Sequence, residues 1–160
     1  MVKKYITKIG FEAQREEFRR LLHEERPRVT REVTVAAAHG DRSENYEYKL
    51  GKKKLREIDA RLHRLQKQLE NYEVVDPRAR PGTDRVFFGA TVTVEDEEGK
   101  RTRYQIVGGE ELDDALGAGR ISYEAPLGKA LLGRQEGDTV RVQRPAGEVE
   151  LTVVKVEWKG

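Results

Sequence analysis

From Tyr48 onward the apolar residues fall at Tyr48, Leu55, Ile58, Leu62, Leu65, Leu69 and Tyr72. The steps are 7, 3, 4, 3, 4 and 3, the spacing of a narrow apolar seam along one helix. A seam of that kind needs a partner. The preceding stretch offers one, with Phe11, Phe18, Leu22, Val29, Val33 and Ala36 stepping by 7, 4, 7, 4 and 3. Between the two patterns stands only Gly40-Asp41-Arg42-Ser43-Glu44-Asn45. So short a connection predicts an antiparallel helical hairpin, with residues 40–45 as its tip. A helix of about 30 residues is about 45 Å long.

The boundaries of the first helix are also written in the chain. Thr7 suits the N-cap, and Ile6 and Phe11 are spaced for a hydrophobic staple across it. Pro27 falls inside the pattern, where it removes a backbone donor and predicts a kink or a division. Ala36-Ala37-Ala38 narrows the hairpin near its end, and Gly40 releases the chain from the helix.

Asp76-Pro77-Arg78-Ala79-Arg80-Pro81-Gly82 ends the helical pattern. Beyond it the period changes to two: Val86, Phe88, Ala90, Val92 and Val94 alternate with Phe87, Gly89, Thr91 and Thr93. A turn over 96–99, a strand with Tyr104 and Ile106, and a short strand over 121–123 are expected next. Pro126 suits the first turn of a small helix over 127–132, ended by Gly133. Strands over 139–144 and 149–158 follow. In the last, the alternation slips phase between Val153 and Val154, which predicts a β-bulge there. The predicted class is α+β: a helical hairpin over 1–75, a linker over 76–84 and an antiparallel β domain over 85–160. Trp158 is assigned to the core of that domain.

Composition agrees with exposed helix. Of the 160 residues 38% are charged and 36% hydrophobic, too polar for one compact globule. The charge is unevenly spread: residues 1–75 hold 18 Lys and Arg against 13 Asp and Glu, a net of +5, and the remainder carries −3. A basic front half suggests an encounter with a polyanion. With no cysteine in the chain there is no disulfide scaffold and no thiolate metal site. Neither a signal peptide nor a bilayer-spanning run is read, so the expected location is the cytoplasm.

Asp41 and Glu44, three residues apart at a helix start, offer hard oxygen ligands that suit Mg²⁺. A pair alone is a short ligand set and becomes useful when a second body supplies the rest. The same spacing is equally that of a capping box, with Asp41 as N-cap and Glu44 at N3, and from spacing this is the commoner meaning. Lys49, Lys52, Lys53, Lys54, Arg56, Arg61, Arg64 and Lys67 face only Glu57 and Asp59 over their stretch. They are either a solvated flank or a track for RNA phosphates or acidic protein walls. His23, His39 and His63 are too dispersed for a metal cluster, and Gly108-Gly109 lacks phosphate-loop spacing.

The run Ala36-Ala37-Ala38-His39-Gly40-Asp41-Arg42-Ser43-Glu44-Asn45-Tyr46-Glu47-Tyr48, with Lys52-Lys53-Lys54-Leu55-Arg56-Glu57-Ile58-Asp59 after it, resembles the bacterial Gre transcript-cleavage factors, the GreB type above all. Val86-Phe87-Phe88-Gly89-Ala90 and residues 126–132 resemble that family's second domain. The resemblance implies a coiled-coil hairpin and an FKBP-like β domain. It implies a monomer that enters the secondary channel of bacterial RNA polymerase tip first. Asp41 and Glu44 would help hold a second Mg²⁺ shared with the polymerase and not bound tightly by the free protein. Backtracked nascent RNA would then be cut near its 3′ end, by the polymerase and not by an enzyme of this chain's own. Ser43, Arg42 and Asn45 would support the tip, and Lys52, Lys53, Lys54, Arg56 and Arg61 would form the RNA-engaging basic patch. Glu124-Ala125-Pro126 stand where the family's docking loop commonly reads Asp-Ser-Pro, so the serine hydroxyl is missing here. The alternatives are a channel-binding inhibitor that does not promote cleavage, and a binding module centred on the β domain.

Overall fold

The computed structural model describes residues 4–39, 42–79, 82–112 and 119–159. These divide into two compact units: Glu12–Asn71, and a second that joins the residues before Glu12 to those from Tyr72 onward.

The first unit is the helical hairpin. Helix α1 (Lys8–Arg20) passes through a π-helical turn at Leu21–Glu25 into α2 (Arg26–His39), and α3 (Arg42–Glu70) returns. Contacts between the two arms run in opposite directions: Glu17 meets Arg61, Arg26 meets Asp59, and Val33 lies against Gly51. The expected antiparallel hairpin is therefore present. Its core is Leu21, Leu62 and Leu65, with Phe18 and Ile58 packed on it.

Two details of the predicted seam change. Pro27 disturbs the helix, but the disturbance is a π turn just before it rather than a division. The Arg26 amide bonds to the Leu21 carbonyl, five residues back. The extra residue in that turn rotates the stripe, so Leu21 is buried and the predicted Leu22 is 37% exposed. Leu21 and Val29, both buried, stand eight residues apart rather than the seven of two α turns. Tyr72 is not a seam residue. It begins strand β2 (Tyr72–Val75) and meets the Phe11 ring edge-on at 6.5 Å.

In the second unit, strand β1 (Lys4–Thr7) pairs in parallel with β2, from Lys4 opposite Tyr72 to Thr7 opposite Val75. The residues before Glu12 accordingly belong to this unit, and the other division falls at Asn71/Tyr72. Thr7 caps α1 as expected, its Oγ1 accepting from the Gly10 amide at 3.2 Å. A five-stranded sheet follows, of β3 (Thr91–Glu95), β4 (Arg101–Val107), β5 (Arg120–Ser122), β6 (Thr139–Arg144) and β7 (Gly147–Glu157), in the order β5-β4-β3-β7-β6. Three pairings are antiparallel and β4–β5 is parallel, so the sheet is mixed rather than wholly antiparallel.

Val86, Phe88, Ala90, Val92 and Val94 are all inside, as the alternation predicts, but the intervening Gly89 and Thr91 are buried as well. Only its second half is strand. Val86 instead exchanges backbone bonds with Arg134 and Gly133, and Gly89 turns with φ +93°. The predicted bulge is present: Thr93 faces Lys155 and Val94 faces Val153, so Val154 is passed over. Helix α4 (Pro126–Leu131) packs Leu131 into the core between sheet and loops. Trp158 packs on the same core and donates its Nε1–H to the Thr83 carbonyl at 3.1 Å.

Candidate functional site

Helix α2 stops at His39 and α3 starts at Arg42, so only two residues separate the arms. Gly40 and Asp41 lie outside the described residues, and so do the side chains of residues 39–45. The assigned carboxylates Asp41 and Glu44 and the supporting Arg42, Ser43 and Asn45 therefore fall outside what the structure describes at side-chain level. Arg42 to Asn45 open α3 by their backbone.

The flanking helices give the end of the hairpin its character. Close packing there is made by small residues: Ala36 is buried, and a Cβ on Gly51 would come 2.6 Å from Val33 Cγ2. Larger apolar groups face outward instead, with Tyr46 69% and Val35 57% exposed. A shallow groove of about 330 Å³ is lined by Arg28, Arg31, Glu32, Val35, Ala36 and Glu47.

The predicted basic patch divides between two faces. Lys49, Lys52, Lys53 and Arg56 follow i, i+3, i+4, i+7 spacing and are all exposed, so they form one cationic stripe. Lys52 Nζ rests 5.2 Å from the Tyr48 ring centroid. Lys54 and Arg61, seven apart, lie on a different flank. Arg61 is already engaged: its Nε and Nη2 each donate to Glu17 at 2.8 Å. The bond from Arg61 holds the Glu17 carboxyl below the ordinary glutamate value. The geometry thus groups Lys49 with Lys52, Lys53 and Arg56, and gives Arg61 to the seam.

In the second unit Ala125 is the N-cap of α4 and supplies no capping side chain, while Pro126 takes the first helical position. The Glu124 amide donates to Ser122 Oγ at 3.1 Å. Glu124 and Pro126 are exposed. Beside them Tyr123 packs edge-on to Phe88 at 5.4 Å and to Tyr5 at 6.0 Å. Burial first, then the Glu124 carboxylate, raise the Tyr123 phenol above its usual value. Among the described residues no three His, Cys, Asp or Glu converge as a metal site, and no helix is long and apolar enough to cross a membrane.

Family models account for the two parts of the chain in turn. "Transcription elongation factor, N-terminal" matches residues 4–74, and "Transcription elongation factor, GreA/GreB, C-term" matches residues 81–158. The chain belongs to the GreA/GreB family of transcription elongation factors. A GreB from Pseudomonas aeruginosa is 51% identical over 96% of this chain and 89% of its own length. A GreA from Anaeromyxobacter is 44% identical over 96% and 91%. The crystal structure of the GreA factor homolog 1 of Thermus thermophilus covers 97% of this chain and 99% of its own, at 25% identity and TM-score 0.43.

One cluster escaped the sequence reading. Glu111 and Arg120 form an ion pair at 2.6 Å with both side chains buried. Nothing in their spacing or surroundings sets them apart from the chain's many other charged residues. A Glu five residues from the nearest predicted strand reads as a loop residue.

Proposed function

We propose that this GreA/GreB-family chain enters the secondary channel of bacterial RNA polymerase with its hairpin end foremost. Asp41 and Glu44 there would help hold a second Mg²⁺ beside the polymerase's own carboxylates. Backtracked nascent RNA is then cut near its 3′ end and elongation resumes. The observation that carries this reading is the two-residue gap between α2 and α3. The Gly-Asp-Arg-Ser-Glu-Asn run spans that gap, on a hairpin cross-tied at Glu17–Arg61 and Arg26–Asp59.

The donor set fits the ion. Mg²⁺ accepts one or two protein carboxylates and keeps its other positions for water and phosphate oxygen. When bound, it supplies charge stabilisation to the attacking and leaving oxygens of an in-line displacement. This chain's part is to bring two acids to that place and hold them. Arg42, Ser43 and Asn45 support the tip, and Lys49, Lys52, Lys53 and Arg56 guide RNA phosphates. Lys54, off that stripe, meets the channel wall. The Glu124-Ala125-Pro126 segment docks the second unit on the polymerase. The factor works in the cytoplasm as a monomer and cuts no RNA alone.

The test uses a purified bacterial polymerase halted in a backtracked state, with Mg²⁺. Addition of the protein is expected to shorten the RNA and leave it extendable, and Asp41→Asn to abolish this while still capping the helix. Inhibition of elongation without shortening would replace the reading with that of a channel-blocking regulator. No effect of either kind would remove the polymerase as partner.

A further inference from the structure

In the second unit, the face of the five-stranded sheet turned away from the core gathers positive charge. Side chains alternate across a strand, so the burial of Val92 and Val94 sends Thr93 to the opposite face. The register sets Thr93 between Arg103 on β4 and Lys155 on β7. Arg101 stands two residues before Arg103 on β4, hence on the same face, and Lys159 follows the end of β7. Together with Thr93, these four cations line a depression of about 560 Å³.

All four cations are exposed. Among the described residues Glu157 is the one carboxylate lining the same depression. It pairs closely with Lys159 at 3.0 Å, while Lys155 stands 3.8 Å away. Arg101 lies 3.8 Å from Glu95, outside the depression, and Arg103 makes no close ion pair among the described residues. The Lys159 bond first, with the charges of Lys155 and Arg103, holds the Glu157 carboxyl below the ordinary glutamate value. The depression therefore keeps a surplus of three positive charges. Residues 76–160 carry −3 overall, so the surplus is local. Like charges gathered in one place repel, and the fold gains nothing from them.

Charge selects an anion, and the lining selects its class. A protein partner needs an apolar or aromatic anchor seated at the centre of its interface. Val154 is the one apolar residue that lines the depression among the described residues, so an anchor pocket is missing. The backbone positions of Arg101 and Arg103 are about 6.8 Å apart along their strand, and those of Arg103 and Lys155 about 9.6 Å apart across β3. Cations so spread suit successive charges along a chain better than one small anion. A phosphodiester backbone meets each demand, with regular charge, oxygen acceptors that an Arg fork grips in pairs, and no call for apolar contact.

We infer that this sheet face of the second unit binds single-stranded RNA by its phosphate backbone, without reading sequence, through Arg101, Arg103, Lys155 and Lys159. RNA is the single strand that a transcription elongation factor meets. The surface goes beyond the cleavage proposed above, shares no residue with the stripe on α3, and needs no polymerase in order to be measured.

The test titrates the full chain into a fluorescently labelled oligouridylate RNA and follows anisotropy over a series of salt concentrations. Lys52→Glu with Lys53→Glu serves as the background, so that the stripe on α3 contributes little. In that background Arg103→Gln with Lys155→Gln is expected to weaken binding about tenfold at low salt. It should also lower the slope of log affinity against log salt by about 1.4, two contacts at about 0.7 each for a single strand. Lys129→Gln with Arg134→Gln removes the same charge at and just after α4, and should leave the slope unchanged and the affinity within about twofold. All four exchanged residues are exposed, and thermal melts check that each variant is folded. Absence of RNA binding by the background protein at low salt overturns the proposal. So does an unchanged affinity in the folded Arg103→Gln, Lys155→Gln protein, or an equal loss from both pairs, which would reduce the effect to net charge. Tighter binding of duplex DNA would give the face to a duplex instead. Displacement of the RNA by polyglutamate as readily as by unlabelled RNA would give it to an acidic protein. Either result sinks the assignment to single-stranded RNA.

Discussion

Arg61 grips Glu17 across the hairpin with two parallel hydrogen bonds, Nε to Oε2 and Nη2 to Oε1, each 2.8 Å. Both side chains are about one-third exposed, so solvent screens the pair and its net worth is about 0.5–1 kcal/mol. Because this contact depresses the Glu17 carboxyl, its contribution exists only where the carboxylate is ionised. It is fully present above the unfolded glutamate value near ~4.3 and is lost as pH falls through the lower folded value. Glu17→Gln should therefore melt below wild type at pH 7, and the difference should vanish as the pH is taken down through the acid range. Melting of the helical signal in parallel pH series checks this; a gap that persists at pH 2 would assign the effect to packing.

The same contact separates Arg61 from the cationic stripe. If the stripe meets RNA as proposed, reversing Lys52 and Lys53 together to Glu should weaken that contact and flatten its salt dependence, since fewer counterions are released on binding. Arg61→Gln should destabilise the hairpin and leave the salt dependence alone. Crosslinking of the RNA 3′ segment to the factor at several salt concentrations distinguishes the two. Equal effects from both changes would return Arg61 to the patch.

Ala125 caps α4 without a side-chain bond. Ala125→Ser supplies the missing acceptor and is expected to stabilise the second unit by about 1 kcal/mol. It also supplies the hydroxyl that the resemblance to Asp-Ser-Pro implies at this position. If that hydroxyl touches the polymerase, competition binding should tighten beyond any change in stability; unchanged affinity would confine its role to the cap.

What the sequence made legible follows from which forces act locally. The hairpin, the Thr7 cap, the bulge at Val154 and the ends of β6 each depend on periodicity or on one residue's chemistry. The errors lie where distant segments compete. Tyr72 continues the seam spacing perfectly, yet β1 captures it as a strand partner, and no local pattern announces a parallel pair between residues 4 and 72. Val86, Phe88 and Ala90 alternate like a strand, but Val86 bonds to residues 133–134 while Ala90 accepts from the Ile106 amide. Glu111 and Arg120 need Thr7 to make sense, and more than a hundred residues separate Thr7 from Glu111. At the candidate site the motif is legible because it is contiguous. That Arg61 is already engaged within the hairpin needed the Glu17 contact to become visible.

The π turn at Leu21–Glu25 makes a further prediction, because it holds one residue more than an α turn in nearly the same length. Deleting Leu22, which is 37% exposed, should convert the turn to α-helix and keep Leu21 and Val29 on one stripe. Deleting Arg31, beyond the π turn, has no surplus residue to absorb it. Val33 and Ala36 would then swing about 100° from the seam, at a cost of about 3 kcal/mol or more. Thermal melts of the two deletion proteins should differ accordingly; equal losses would mean that the π turn is not a stored insertion.

Gly51 sits in the middle of α3, where alanine would ordinarily be favoured by about 1 kcal/mol. The facing side chain reverses the sign. An added Cβ would lie 2.6 Å from Val33 Cγ2, and a β-branched valine in a helix has one strongly preferred rotamer with which to retreat. Gly51→Ala should force the arms apart and destabilise the hairpin by about 1–3 kcal/mol. Val33→Ala opens the required space, so the double variant should be more stable than the sum of the single changes implies. Denaturant midpoints for the four proteins give the coupling energy directly. A coupling near zero would show that the arms separate at Val33 and Gly51 without cost, and that something other than close approach keeps glycine at this position.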